Sequence, residues 1–443
     1  MQIDLTSGPV TKTILRFSAP LILGNLLQQV YNIADTIIVG KFIGAGALAA
    51  VGASFTLMVF LTSVILGLCM GSGIVFSILF GAKDYNCLKN SFFVSFLFVG
   101  LVSVAINLLV VWQTKNIMLL MQIPAEILSE TEQYLEVIFY GIMLTFVYNY
   151  FASLLRALGN SATPLVFLAV TAVLNIILDL VLILYFDMGV AGAAWATVIS
   201  QAVSAIGLAW YSFVRIPLLK LGTNHLKFRL SILKMITGYS LLTCVQQSIM
   251  NFGILMVQGL INSFGVVVMA AFAAAVKIDA LAYMPVQDFG NGFSTFIAQN
   301  FGAGRKERIR EGIVSAVKTS LVFCLFISAA VYFFAQELML VFVDARDEEI
   351  IKTGVQYLQI EGMCYFGIGW LFLFYGFYRG IGKPGISVVL TVVSLGTRVI
   401  LAYALAPVPS IGLLGVWWSI PVGWFLADAL GVWYYRRYRL HMS

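Results

Sequence analysis

The chain has 443 residues, of which 61% are hydrophobic and only 10% charged, with a net charge of +6. That little charge cannot supply the polar surface of a water-soluble protein of this size, so lipid is the expected solvent. Apolar stretches of 20 or more residues recur along the whole length, each enough to cross about 30 Å of hydrocarbon as a helix.

Twelve such helices are predicted, near 14–39, 48–75, 90–112, 130–154, 162–185, 190–213, 232–262, 267–298, 314–336, 353–378, 384–406 and 412–435. The first carries Gln28, Tyr31, Asn32 and Asp35 at helical spacing, on one face. A carboxylate inside a span needs a partner or water, which makes Asp35 a candidate functional group. Pro20 lies one to two turns into the same helix, where it removes a backbone hydrogen bond and predicts a kink. Helix 5 brings a second intramembrane carboxylate, Asp179, with Asn175 one turn before it, and helix 6 carries Thr197. At about 1.5 Å per residue, Asp35, Asn175, Asp179 and Thr197 fall at similar depth in the outer half of the first six helices. Two carboxylates, an amide and a hydroxyl are hard oxygen ligands suited to Na⁺. Two close carboxylates equally suit a shared proton. Gln28, Asn32 and Thr197, taken singly, also read as ordinary interhelical hydrogen bonding.

A basic linker follows, dividing the chain into lobes at 1–216 and 229–443, with 217–228 on the cytoplasmic side. Helix 7 carries Gln247, Asn251 and Gln258 on one stripe, as cleft lining or as helix packing. On helix 8, Lys277 and Asp279 are two apart and point to roughly opposite faces, and Pro285 predicts a bend. With Glu361 and Arg398 they form a C-terminal polar set, read either as a buried ion-pair network or as a second titrating site. Asp288 and Asp428 lie deeper toward the cytoplasm.

The two halves repeat each other at an offset of 221 to 223 residues. Phe80-Gly81-Ala82 returns as Phe301-Gly302-Ala303, Tyr134-Leu135 as Tyr357-Leu358, Arg156-x-x-Gly159 as Arg379-x-x-Gly382, and Gly189-x-x-Gly192-x-x-Trp195 as Gly412-x-x-Gly415-x-x-Trp418. Six is even, so both halves enter the membrane in one direction and a pseudo-two-fold axis along its normal relates them. With both termini cytoplasmic, the inner segments hold 20 of the 26 basic residues, the bias that orients a multi-pass protein in a plasma membrane. The positive charge is thereby a topology signal, and no nucleic acid is expected as a partner. No P-loop, HExxH or GxSxG occurs, and the five cysteines are scattered singly. Neither catalysis nor a cofactor is expected; an ion gradient is the remaining source of work.

These residues together resemble the multidrug and toxic compound extrusion (MATE) family. Asn32-Ile-Ala-Asp35-Thr-Ile-Ile-Val-Gly40 with Ala47-Leu-Ala-Ala-Val-Gly52 is similar to the family's helix 1–2 signature. Leu155-Arg156-Ala-Leu-Gly159-Asn160 and Tyr378-Arg379-Gly-Ile-Gly382-Lys383 are similar to the signature after helices 4 and 10. The resemblance implies an all-α polytopic membrane protein, its twelve transmembrane helices set in two six-helix lobes around a central cleft. It also implies export of amphipathic, often cationic, small molecules in exchange for Na⁺ or H⁺, with a monomer sufficient. Asp35, Asn175, Asp179 and Thr197 match the N-lobe cation-site pattern of one branch, and Pro20 its bending proline. Another branch places acidic residues on helix 7, where this chain has Gln246-Gln247, so coupling is expected in the N-terminal lobe. Gln28, Tyr31, Asn32, Gln247 and Asn251 are then candidates for the substrate cleft. Two alternatives stand beside this reading: a lipid-linked saccharide flippase of the wider superfamily, supported by Lys277 and Arg398, and an intramembrane enzyme.

Overall fold

Within hydrocarbon every peptide group must be satisfied by its own segment or a closed sheet, so long apolar runs fold as helices. The computed structural model describes residues 3–120 and 123–442, and no strand occurs among them. Fourteen α-helices follow in order: α1 (Val10–Phe42), α2 (Ala45–Gly81), α3 (Tyr85–Leu120), α4 (Leu128–Ala157), α5 (Ala162–Leu180), α6 (Gly189–Arg215), α7 (Leu230–Asn262), α8 (Val266–Gly302), α9 (Lys306–Phe333), α10 (Ala335–Leu340), α11 (Glu348–Met363), α12 (Tyr365–Gly380), α13 (Pro384–Leu405) and α14 (Leu413–Met442). Ten are long and apolar enough to cross a membrane, and α11 with α12, bent by 53° at Cys364, can act as an eleventh span. The 33-residue α1 completes the twelve by length; it is more polar, carrying Asn25, Gln28, Gln29, Asn32 and Asp35.

The chain divides into two compact units. One holds Ala19–Cys244 with the residues up to Asp4; the other holds Leu5–Ser18 with Val245 onward. The division falls inside α1, next to Pro20, and inside α7.

In the first unit, α4 packs between α2 and α6. Its core gathers on Tyr150, whose ring lies within 6.2 Å of Phe76, Phe92, Phe96, Phe146 and Phe151. The Tyr150 hydroxyl donates to the Phe92 carbonyl at 2.7 Å, so a polar atom in this apolar layer keeps a partner. Backbones come together where glycine allows it. A Cβ on Gly71 would stand 2.4 Å from Ser240 Cα; without it, α2 and the first half of α7 close until Ser72 and Ser240 share a 3.0 Å hydrogen bond. The linker is seated too: Asn90 donates to the carbonyls of His225 and Lys227 at 2.9 and 2.7 Å.

In the second unit, α8 packs against α12 and α13 against α14. A Cβ on Gly376 would lie 2.5 Å from the Gly290 carbonyl, the same device at the α8–α12 crossing. The segment before α1 belongs to this unit. Arg308 donates to the carbonyls of Leu5, Ser7 and Gly8 at 3.2, 2.6 and 2.7 Å. Arg305 donates to Thr6 and Asn300 to Leu5.

Candidate functional site

Three helices of the first unit deliver the predicted residues to one place. Asn175 and Asp179, one turn apart on α5, are both fully buried. Just past them the helix widens into a π turn, Val181–Tyr185, with Phe186 N–H reaching the Val181 carbonyl; such turns recur at functional positions. The next helix is set close by Gly192, where a Cβ would meet Leu182 at 3.3 Å and Met188 at 3.1 Å, and this brings Thr197 of α6 alongside Asn175. Oriented to satisfy both its polar atoms, the Asn175 amide donates to Asp179 Oδ2 at 3.0 Å and accepts from the Thr197 N–H at 3.3 Å.

From α1, half-buried Asp35 reaches this set, near enough for its carboxyl and that of Asp179 to act on each other. Tyr31 of α1 and Tyr134 of α4 stand beside the pair. Asp35 Oδ1 and Asp179 Oδ1 remain without a hydrogen-bond partner among the described residues. No Lys or Arg among those residues acts on either group. The site is thus a buried dicarboxyl pocket with two open oxygens and no internal counter-charge. Two bare carboxylates side by side there would be unfavourable.

The other predicted residues fall apart from it. Tyr31 belongs to the carboxyl pocket; Gln28 is exposed on α1, and Asn32 is half-buried, its carbonyl accepting from Thr36. Gln247 lines a small pocket of the second unit with Gln246, Gln287, Asn291 and Arg379. Asn251 is half-buried one turn further along α7 and is not among that pocket's lining residues. Pro20 and Pro285 both lie inside helices.

The C-terminal polar set is brought together in part. Asp279 of α8 and Glu361 of α11, both buried, lie near each other, with half-buried Arg398 of α13 in range of both but its Nε without a hydrogen-bond partner among the described residues. Lys277 is exposed on the opposite face of α8 and takes no part. Tyr357 donates to Asp279 Oδ2 at 3.4 Å, while the buried Tyr365 hydroxyl has no hydrogen-bond partner among the described residues. The sequence reading assigned no role to Tyr134, Tyr357 or Tyr365. The available signal was the repeat itself, since Tyr134 and Tyr357 occupy matching positions.

Duplicated helices carrying buried carboxyls in each half define a class, that of polytopic secondary transporters. The MatE family model matches residues 20–181 and again 239–404. The chain belongs to the MatE family. It is 29% identical over 447 residues to the probable multidrug resistance protein YpnP of Bacillus subtilis, covering 98% of this chain and 96% of that one. It is 26% identical to the multidrug export protein MepA of Staphylococcus aureus, covering 93% and 90%. A crystal structure of a MATE protein in complex with MaL6 superposes with a TM-score of 0.92 at 24% identity, covering 98% of both chains. That last likeness carries the fold.

Proposed function

We propose that this chain is a cation-coupled antiporter that exports amphipathic, often cationic, small molecules by alternating access. The observation that carries the reading is the Asp35–Asp179 pair: half-buried Asp35 and fully buried Asp179 beside Asn175 and Thr197, with no Lys or Arg among the described residues acting on either. A pocket with that charge state binds H⁺ or Na⁺ from the side to which it is open. The open Oδ1 atoms, with Asn175 and Thr197 beside them, are the oxygens available to either ion. Loading the pocket favours one arrangement of the protein and unloading favours another; substrate is released where its affinity in the loaded arrangement is lower. The positive bias of the inner segments supports a plasma-membrane location with both termini cytoplasmic. The names of YpnP and MepA support multidrug compounds as cargo.

The test is efflux of a cationic dye from proteoliposomes under separately imposed Na⁺ and pH gradients, for the natural chain and Asp35→Asn. Export that follows one gradient and vanishes in the variant supports antiport and identifies the ion. A folded Asp35→Asn protein that still exports along that gradient would remove the pair from the mechanism.

A further inference from the structure

Arg379 lies in the last turn of α12 and is only 5% exposed. A guanidinium keeps its charge, and a charge taken out of water needs a partner of opposite sign. Arg379 Nε donates to the Tyr375 carbonyl at 3.2 Å, and Nη2 donates to Asn291 Oδ1 at 3.0 Å. Both acceptors are neutral, and no Asp or Glu among the described residues acts on the group. The charge is hydrogen-bonded but not neutralised.

The same arginine lines the small pocket of the second unit with Gln246, Gln247, Gln287 and Asn291. The inner volume is about 20 Å³, room for one group the size of a water. No carboxylate is part of the lining. Asp288, next to Gln287 in sequence, lies outside it, as does Asp428 of α14, whose charge reaches Tyr375. Each of the four amides carries an NH₂ that can turn toward an anion. Gln246 is 1% exposed, and its Oε1 has no hydrogen-bond partner among the described residues, so no bond fixes that oxygen. The frame is firm: α8 and α12 cross closely at Gly290 and Gly376, beside Asn291 and about one turn from Arg379. The donors are thus held in place before anything binds.

The internal repeat separates this polarity from packing. Arg156 is the counterpart of Arg379, and α2 packs on α4 as α8 packs on α12. At the 221-residue offset that relates Phe80 to Phe301, Leu66 and Met70 stand where the second unit has Gln287 and Asn291. An apolar pair serves the first crossing, so the crossing itself does not call for the two amides.

We propose that Arg379 and the four amides form a binding site for a small monoanionic group, either chloride or the carboxylate end of a larger molecule. The guanidinium supplies the opposite charge, the amide N–H groups supply further donors, and the pocket is too small for sulfate. The assignment does not rest on the antiport proposed for Asp35, because it is read as binding at equilibrium with no gradient imposed.

The experiment uses the full-length chain purified in detergent, with N-methylglucamine sulfate as the only salt. Radiolabelled chloride and radiolabelled acetate are bound separately, with uncharged acetamide as competitor. Saturable binding that acetamide does not displace is expected, and the anion held more tightly identifies the source. Arg379→Gln should abolish it. Gln287→Leu should weaken it about tenfold, the weight of one hydrogen bond to a charged group. Gln246→Glu gives the guanidinium a carboxylate of its own and should expel the anion while holding or raising Tm; it decides the matter if Arg379→Gln fails to fold. The proposal is overturned if the natural chain binds neither anion saturably. It is equally overturned if affinity is unchanged in folded Arg379→Gln or in Gln246→Glu.

Discussion

In the first unit half-buried Asp35 and fully buried Asp179 come together with no Lys or Arg among the described residues acting on them; in the second, buried Asp279 and Glu361 lie in range of half-buried Arg398. Both arrangements stand beside the same repeated tyrosine, Tyr134 or Tyr357. The two halves thus each carry a pair of acids beside a repeated tyrosine, and the pairs differ in whether a basic side chain stands in range. The difference predicts different responses to losing the acids.

The helix crossings set the upper limit of expected effects and should not distinguish the units. Gly71→Leu and Gly376→Leu each drive a side chain into backbone at 2.4 and 2.5 Å. Each should cost more than about 4 kcal/mol, read as loss of folded protein in detergent. If either proves mild, the close crossing is not a shared device. The acid pairs come next and should separate the units. Asp279→Asn with Glu361→Gln removes two buried acids beside half-buried Arg398 and should destabilise by about 1–3 kcal/mol, read as Tm. Asp35→Asn with Asp179→Asn leaves no stranded charge and should change stability by less than about 1 kcal/mol while abolishing gradient-driven export. Equal Tm losses for the two doubles would erase the contrast. The smallest effect is expected at Tyr357→Phe, which removes a long 3.4 Å hydrogen bond to Asp279 and should cost about 1 kcal/mol. Tyr134→Phe provides the matching measurement in the first unit.

Much of this architecture was legible because apolar length and a constant repeat offset need no knowledge of packing. The proximity of Asp35, Asn175, Asp179 and Thr197 followed from depth along antiparallel helices, a quantity that residue counting supplies. Rotation was legible at Lys277, whose two-residue spacing from Asp279 put it on the opposite face of α8, where it is exposed; grouping it with Asp279, Glu361 and Arg398 set that spacing aside. The 53° bend at Cys364 has no proline to announce it; it falls at the short turn in which Cys364 N–H binds the Glu361 carbonyl at 2.9 Å, with Gly362 inside that turn. The tyrosines were missed because a tyrosine in a span reads as an apolar ring until its hydroxyl finds a carboxyl. The π turn after Asp179 likewise leaves no mark in a run of Val, Leu and Ile.

The short strap ahead of α1 is held through its peptide oxygens: Arg308, Arg305 and Asn300 bind the carbonyls of four consecutive residues, Leu5 to Gly8. Every residue type offers the same carbonyl, so these donors gauge spacing along the chain. Removing a single residue slides buried Leu5 out of its pocket and puts another residue where Gly8 holds a φ of +74°. In this stretch the constraint on the gene is on its reading length, three nucleotides at a time, more than on its codons.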